Sequence, residues 1–240
     1  MIAARRVVLA GAVVILVAIA FAVAWSRREQ EPLGPSAMQR PKLLLLTSLP
    51  LMFGEDFSLK DGGSPALSKL ESRYRIVPIS VTSDAELGKG RMLLMAQPQA
   101  QTAENLVALD AWVRRGGRVL LLADPLLEWP SKRPFGDMLR PPPVFADTGL
   151  LAHWGLRLDP PAQPGPAERQ LGGFEVLTIS PGRLSGSCDV SRDSLVAHCR
   201  IGSGKATIVA DADLLNTGAL GPGARDNLNG LLAELAALQR

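Results

Sequence analysis

Aromatic residues, cysteines and histidines are scarce in this 240-residue sequence. Phe, Trp and Tyr make up 5% of it, and there are two cysteines and two histidines. With so few aromatic rings, we do not expect the stacking platforms of proteins that bind single-stranded nucleic acid. Charge is also nearly balanced, because 26 basic residues face 23 acidic ones. The resulting net charge of +3 does not indicate a nucleic-acid-binding surface.

Several catalytic signatures are missing as well. There is no G-x-S-x-G nucleophile elbow and no G-x-G-x-x-G after a first strand. The G-S-G-K stretch at 202–205 resembles the end of a phosphate-binding loop. However, Cys199 stands where that pattern needs glycine, and Ala206 where it needs Ser or Thr. We therefore expect a hairpin turn there. His153 and His198 are too isolated to be general bases, and we expect His153 to be packed among apolar neighbours.

The first feature that is present is an uncharged hydrophobic run, Val7–Trp25. A helix of this length spans about 30 Å of hydrocarbon. Arg5 and Arg6 precede it, an arrangement that usually leaves the N-terminus inside. We expect a single-pass inner-membrane anchor that holds the rest of the chain in the periplasm. A cleaved signal peptide is the alternative, because A-V-A at 22–24 offers a cleavage pattern.

The predicted organisation has three parts: an anchor with its flanks over 1–28, a linker over 29–41 and an α/β domain over 42–240. In the domain, short apolar runs alternate with helical patterns, which predicts a doubly wound, mostly parallel sheet. Strands are predicted at 43–46, 75–80, 91–95, 119–123, 174–179, 194–201 and 205–210. Because the last three follow one another closely, they predict an antiparallel extension. Proline-rich loops are expected at 130–143 and 160–173.

The clearest helix is predicted from Thr102 to about Arg115. Thr102 is a typical N-cap residue. Gly116 and Gly117 follow the helix, and one of them is expected to adopt the left-handed conformation. Further helices are predicted after Ser64, around 148–154 and from about Asp226.

The two cysteines, Cys188 and Cys199, lie on either side of a predicted turn at Asp193-Ser194. A hairpin loop at those two residues sets the cysteines directly opposite each other, with Cβ atoms about 4.5–5.5 Å apart. We expect a disulfide in an oxidising compartment, and two unpaired thiols are the alternative. A zinc site is not expected, because strand alternation places His198 on the opposite face from Cys199.

Three aspartates follow predicted strands at the edge where open α/β sheets bind ligands. Asp124 follows the strand at 119–123, whereas Asp211 and Asp213 follow the strand that ends near residue 210. A carboxylate cluster could bind a divalent metal or perform acid–base chemistry. Alternatively, each aspartate caps a turn or a helix, since Asp-Pro is a common turn opener.

Several stretches resemble a family of ABC-type uncharacterised transport-system proteins, which includes gliding-motility auxiliary proteins. They are K-L-L-L-L-T-S-L-P at 42–50, L-D-A-W-V at 109–113, G-G-R-V-L-L-L-A-D-P at 116–125, G-S-G-K at 202–205, V-A-D-A-D-L-L at 209–215 and N-L-N-G-L-L at 227–232. The resemblance implies a flavodoxin-like fold of the class I glutamine-amidotransferase type. It also implies an accessory of an ABC transporter, often membrane-anchored.

The resemblance does not extend to amidotransferase chemistry. Active amidotransferases carry a nucleophilic cysteine at the turn after a central strand, whereas the turn after 91–95 is A-Q-P-Q at 96–99. The thiol needed for a glutamyl thioester is therefore missing from that turn.

Our first hypothesis is thus a non-catalytic, membrane-anchored periplasmic accessory domain of an ABC-type transport or envelope complex. It would act through protein or glycan contacts, and a protein partner in that complex is expected. Its predicted binding face is the sheet edge near Pro50, Gln97, Asp124 and Asp211, and no cofactor is predicted. A metal-dependent hydrolase using Asp124, Asp211 and Asp213 is the second hypothesis. A small-molecule sensor that uses the same crevice is the third.

Overall fold

The first strand of the domain forms from a run of leucines. This strand, β1, spans Lys42–Thr47, and its four leucines are all buried. A strand that is apolar on both faces is typical of a parallel sheet with helices on both sides. The computed structural model describes residues 40–53 and 63–240, which form a mixed α/β fold with a largely parallel central sheet.

The elements alternate along the first half of the domain, as predicted. The other strands are β2 (Arg75–Pro78), β3 (Met92–Ala96), β4 (Arg118–Leu122), β5 (Leu156–Asp159), β6 (Pro166–Leu171), β7 (Phe174–Ile179), β8 (Arg183–Gly186), β9 (Asp189–Val190), β10 (Val196–Ile201) and β11 (Gly204–Val209). The α-helices are α1 (Pro65–Glu71), α2 (Asp84–Leu87), α3 (Ala103–Arg114), α4 (Leu150–His153), α5 (Thr217–Leu220) and α6 (Asn227–Gln239). Two short 3-10 turns span Asp213–Leu215 and Gly221–Ala224.

Within the described residues, seven strands form the central sheet in the order β2-β1-β3-β4-β11-β10-β9. The first five strands in this order, β2, β1, β3, β4 and β11, pair in parallel. β10 and β9 then extend the sheet in antiparallel fashion. The order of the five parallel strands is that of flavodoxin-like sheets. Their C-terminal ends share one side of the sheet, the carboxyl edge, and their N-terminal ends share the amino edge.

Helices cover both faces of the sheet. Alternate leucines of β1 enter two apolar cores, because Leu43 and Leu45 face one side while Leu44 and Leu46 face the other. The first core includes Leu67 and Leu70 of α1 and Leu231, Leu235 and Leu238 of α6; the second includes Leu109, Trp112 and Val113 of α3 and Leu150 and Leu151 of α4. This two-sided packing is the doubly wound arrangement that the sequence predicted.

Both ends of α3 are capped as predicted. The hydroxyl oxygen of Thr102 accepts a hydrogen bond from the N–H of Asn105 at 3.4 Å. At the other end Gly116 has a φ of +101°, and the N–H of Gly117 donates to the carbonyl of Trp112 at 3.0 Å. These bonds satisfy backbone groups that a helix leaves unpaired, and the left-handed residue costs little because it is glycine.

The predicted hairpin at G-S-G-K also forms. Ile201 pairs with Gly204, so Gly202 and Ser203 make a two-residue turn between β10 and β11. A Cβ on Gly204 would lie 2.0 Å from the carbonyl oxygen of Val113 in α3. The glycine therefore permits close packing of the hairpin against the end of this helix. This packing is a structural role for the G-S-G-K stretch that does not involve phosphate binding.

The prediction of a loop over 160–173 is wrong for its second half, where β6 forms. β6 pairs with β7 in a separate two-stranded sheet, so Phe174–Ile179 is a strand as predicted but does not join the central sheet. Most β6 side chains are exposed or half-buried, so the segment lacks an apolar pattern. Gly172 and Gly173 have positive φ values of +58° and +84°, as a tight hairpin turn requires. In the sequence, that Gly-Gly pair was the feature that could have indicated the hairpin between β6 and β7.

No helix within residues 40–53 and 63–240 has the length and apolarity to cross a bilayer. The predicted membrane segment, Val7–Trp25, lies outside the described residues.

Candidate functional site

The predicted polar residues meet at the carboxyl edge. Gln97, Asp124 and Asp211 follow the three neighbouring strands β3, β4 and β11. All three are fully buried, and Asp213 is nearly so. The parallel topology brings them together because the three strands end on the same side of the sheet.

Gln97 occupies the turn after β3, where the family resemblance places a nucleophile in active amidotransferases. Its φ is +43°, a left-handed conformation that is uncommon for a residue other than glycine. Its side-chain oxygen accepts a hydrogen bond from the N–H of Asp124 at 2.9 Å, and its side-chain NH₂ donates to the carbonyls of Asp124 (3.1 Å) and Pro142 (3.0 Å). The amide thus joins two loops to β3, and an amide cannot act as the nucleophile that a thiolate would be.

Asp124 also binds the backbone. One carboxylate oxygen accepts from the N–H of Leu126 at 2.8 Å, the turn that the Asp-Pro sequence suggested. The other oxygen accepts from the N–H of Ala212 at 2.8 Å, which ties β4 to the loop after β11. Burial raises the pKa of Asp124 to about 6, although these N–H donors act in the opposite direction and favour the carboxylate.

Asp211 caps the 3-10 turn that follows β11. Its two oxygens accept from the N–H groups of Leu214 at 2.7 Å and of Ile179, the last residue of β7, at 3.0 Å. Complete burial raises the pKa of Asp211 well above its usual value, and the nearby carboxyl group of Asp124 raises it further. Its hydrogen bonds connect the central sheet to the β6–β7 hairpin.

Asp213 binds a residue that we did not predict. Its carboxylate accepts from the N–H of Glu128 at 2.7 Å, and the Glu128 carboxylate in turn accepts from the hydroxyl of Ser180. Burial raises the pKa of Asp213 to about 7, and the charges of Asp124 and Glu128 add to this effect. No local pattern marks Glu128 or Ser180, since each lies in a loop and they are 52 residues apart.

The three predicted aspartates therefore come together, but each binds backbone N–H groups of neighbouring loops. This arrangement favours the capping interpretation, because a ligand or metal would have to displace those hydrogen bonds. Among the residues that the structure describes, no group of three or more His, Cys, Asp or Glu side chains is arranged to hold a metal ion.

A loop without helix or strand covers this edge. We call Pro130–Val144 the 130–144 loop; the sequence predicted an irregular segment here. Just beyond it, the N–H of Phe145 donates to the carbonyl of Asp124 at 2.7 Å, and the N–H of Leu127 donates to the carbonyl of Pro143 at 2.9 Å. Together with the bond from Gln97 to Pro142, these contacts hold the loop over the strand ends.

A groove of moderate size lies elsewhere in the domain. It has a volume of about 510 Å³ and is lined by residues that include Pro41, Lys69, Tyr74 and Phe174. Pro41 immediately precedes β1, so this groove lies toward the amino edge, away from the crevice that the sensor hypothesis would use.

The predicted disulfide between Cys188 and Cys199 is confirmed. The two Cα atoms are 4.9 Å apart. His198 pairs with Asp189 across β10 and β9, and the same register sets the cysteines opposite each other, as the hairpin argument required. His198 points to the other face, where its Nε2 lies 2.8 Å from a carboxylate oxygen of Glu234 in α6.

The expectation that His153 is packed in the interior is wrong. It lies at the end of α4 with its side chain exposed. Its Nε2 is 3.5 Å from a carboxylate oxygen of Asp110 and 3.2 Å from the guanidinium of Arg114. The neighbouring Trp154 is the buried member of the pair, and its indole N–H donates to Asp110 at 2.9 Å.

Several solved structures match parts of this chain. The exo-β-1,4-mannosidase Op5Man5 from Opitutaceae bacterium strain TAV5 matches with a TM-score of 0.50 and 16% identity, over 92% of this chain and 38% of the enzyme. The cytoplasmic protein STM3548 from Salmonella typhimurium matches with a TM-score of 0.49 and 12% identity, over 82% of this chain and 98% of that protein. A β-galactosidase from Bacillus circulans sp. alkalophilus matches with a TM-score of 0.46 and 14% identity, over 83% of this chain and 31% of the enzyme.

This chain thus spans only about a third of the length of the two glycosidases. At such low identity, the likeness to the mannosidase concerns the fold alone. No curated protein matches the sequence.

A sequence model of the family described as ABC-type uncharacterized transport system matches residues 40–162. The matched segment contains Gln97, Asp124 and the 130–144 loop, whereas Asp211, Asp213 and the disulfide lie beyond it. The match confirms the resemblance seen in the sequence. Because it spans more than half of the 240 residues, the chain belongs to the ABC-type uncharacterized transport system family.

Proposed function

We propose that this chain is a membrane-anchored accessory domain of an ABC-type transport system, with its body in the periplasm. In this proposal the domain acts by binding another protein and catalyses no reaction. Family membership supports the association with a transport system.

The observation that carries the non-catalytic part is the hydrogen bonding of the carboxyl edge. The carboxylates of Asp124 and Asp211 accept from backbone N–H groups, and Gln97 is bonded to the backbone on both sides of its amide. Side chains used in this way stabilise loops and have little capacity left for a substrate. The surface above them, formed by the 130–144 loop, is then the available place for a partner.

Two features support the proposed location. The uncharged run Val7–Trp25 is long enough for a membrane helix, and arginines precede it. The disulfide between Cys188 and Cys199 suits an oxidising compartment such as the periplasm.

Co-purification from membranes tests the association. The full-length tagged chain should recover the ATPase and the permease of one ABC-type transporter from detergent-solubilised native membranes after mild cross-linking. An unrelated membrane-anchored periplasmic protein with the same tag is the control. Recovery of neither component, at cross-linking yields that preserve a known transporter complex, would contradict the proposal.

Protease accessibility tests the location. Protease added to spheroplasts should digest the domain while a cytoplasmic marker survives. If the domain is digested only after the membrane is lysed, the periplasmic assignment is wrong.

Divalent ions test the alternative of a metal-dependent hydrolase. Titration with Mg²⁺, Mn²⁺ or Zn²⁺ should leave the Tm of the purified chain unchanged, because Asp124, Asp211 and Asp213 already bind backbone N–H groups. A saturable rise in Tm that disappears in the variant Asp124→Asn would instead support the hydrolase.

A further inference from the structure

The 130–144 loop presents large apolar side chains to solvent. Phe135 is 81% exposed and Met138 is 89% exposed, and Leu139 and Val144 are more than half exposed. Apolar side chains that lie exposed together, unlike scattered single ones, mark interaction sites. Phe and Met are also enriched at protein–protein interfaces.

The loop is organised by its own hydrogen bonds. The N–H of Asp137 donates to the carbonyl of Pro134 at 3.2 Å, and the N–H of Arg140 donates to the carbonyl of Asp137 at 3.0 Å. The Asp137 carboxylate also accepts from the N–H of Leu139 at 2.8 Å, and the Arg140 guanidinium donates to the carbonyl of Arg133. A loop held in one shape loses less conformational entropy when it binds, which favours affinity.

The loop has more basic than acidic residues. Lys132, Arg133 and Arg140 belong to it, whereas Asp137 is its one acidic residue and lies 3.5 Å from the Arg133 guanidinium. The Arg140 guanidinium lies over the Phe135 ring, 4.1 Å from its centroid. A loop with a net positive charge, exposed apolar side chains and a guanidinium over an exposed ring is complementary to a partner surface with an apolar pocket and acidic neighbours.

We propose that the 130–144 loop is the docking element of this domain, and that its partner is a protein with an apolar pocket for Phe135 and Met138 surrounded by acidic side chains. This inference rests on the proposed function, because the partner is expected to be a component of the transport system.

Site-specific photo-cross-linking in native cells tests the proposal. A photoreactive phenylalanine analogue replaces Phe135 or Met138 in the full-length chain, and it replaces Val107 or Ser203 in the controls. Val107 is exposed on α3, and Ser203 is exposed in the amino-edge turn. We expect one protein to be cross-linked from positions 135 and 138, with a yield at least about tenfold lower from 107 and 203. The linked peptide should be flanked by Asp or Glu.

A charge-reversal pair identifies the acidic rim. The variant Arg140→Glu should lower the cross-linking yield from position 138 by about tenfold, and replacement of the facing acidic residue of the partner by Lys should restore it. Equal yields at the control positions, cross-links mainly to lipid, or cross-links mainly to a second copy of this chain would each overturn the proposal.

The two proposals fail separately. If Phe135→Ala with Met138→Ala leaves co-purification of the ATPase and permease unchanged, the docking loop is wrong but the accessory function stands. If the wild-type chain recovers no transport component while position 135 still cross-links to an acidic surface of another protein, the accessory function is wrong but the docking loop stands.

Discussion

The interior of the carboxyl edge and the 130–144 loop above it have opposite characters. Inside, Gln97, Asp124 and Asp211 are fully buried, and their hydrogen bonds go to backbone groups. Outside, Phe135 and Met138 expose most of their surface. Polar residues at strand ends can therefore stabilise the fold, while apolar residues on a loop remain available to a partner. Substitutions in the two regions should separate these roles.

Replacing Asp124 by Ala should cause the largest loss of stability. The change leaves the part-buried N–H of Leu126 and the buried N–H of Ala212 without their carboxylate acceptor. We expect the free energy of unfolding to fall by roughly 2–4 kcal/mol. Urea unfolding of the purified chain in mild detergent, followed by tryptophan fluorescence, measures it.

Two matched variants control this result. Asp124→Asn keeps the shape and one acceptor oxygen and removes a buried charge, so it should cost less than Asp124→Ala. Glu168→Ala changes an exposed carboxylate of β6 and should alter stability by less than about 0.5 kcal/mol. A loss for Asp124→Ala no larger than that for Glu168→Ala would show that the carboxylate is not structural.

Replacing Gln97 by Ala should have the next largest effect. The variant removes the three bonds that join β3 to Asp124 and Pro142, and we expect a loss of about 2 kcal/mol in the same urea assay. Gln97→Gly relieves the left-handed backbone as well, so it should be more stable than Gln97→Ala. If both variants have the same urea midpoint of unfolding as the wild-type chain, the Gln97 side chain does not stabilise the carboxyl edge.

Stability should fall as the pH rises from 5 to 8. Burial raises the pKa of Asp124 to about 6 and of Asp213 to about 7, so the folded chain holds protons that the unfolded chain releases above about pH 4. This contribution is fully present below about pH 4 and is lost as the pH rises through 6 to 7. Urea unfolding at four pH values between 6 and 8 should show a decrease of about 2 kcal/mol over that part of the range.

His198 contributes to the same trend. Its hydrogen bond to Glu234 raises its pKa, so its share of the stability is present below about pH 6.5 and is lost above the raised value. Asp213→Asn should flatten the profile between pH 6 and 8, and His198→Gln should flatten it less because the histidine is half-exposed. Stability that rises over this range in the wild-type chain would contradict the buried-carboxyl account.

Replacing Phe135 and Met138 by Ala should have the smallest effect on folding. Both side chains are exposed, so the free energy of unfolding should change by less than about 0.5 kcal/mol. Their loss should appear in cross-linking and co-purification instead. A clear destabilisation would mean that the loop packs its apolar side chains into the domain, and the contrast between interior and loop would disappear.

Local sequence patterns predicted much of the fold. The leucines of β1, the caps of α3 and the opposed cysteines depend on residues that are close in the chain or on simple strand alternation. β6 escaped prediction because its side chains are largely solvent-exposed, so no apolar period marks it. The bond between Asp213 and Glu128 joins residues 85 positions apart, and nothing near either residue indicates it.

The pattern of residues along the chain was sufficient to predict that parallel strands are followed by Gln97, Asp124 and Asp211, and that Cys188 and Cys199 face each other. The groups that the three polar side chains bind depend on how distant loops pack in the folded domain. Packing brought the loops after β4, β7 and β11 around the carboxyl edge, where their N–H groups need acceptors. The carboxylates supply those acceptors, and the hydrogen bonds offset part of the free-energy cost of burying the acids.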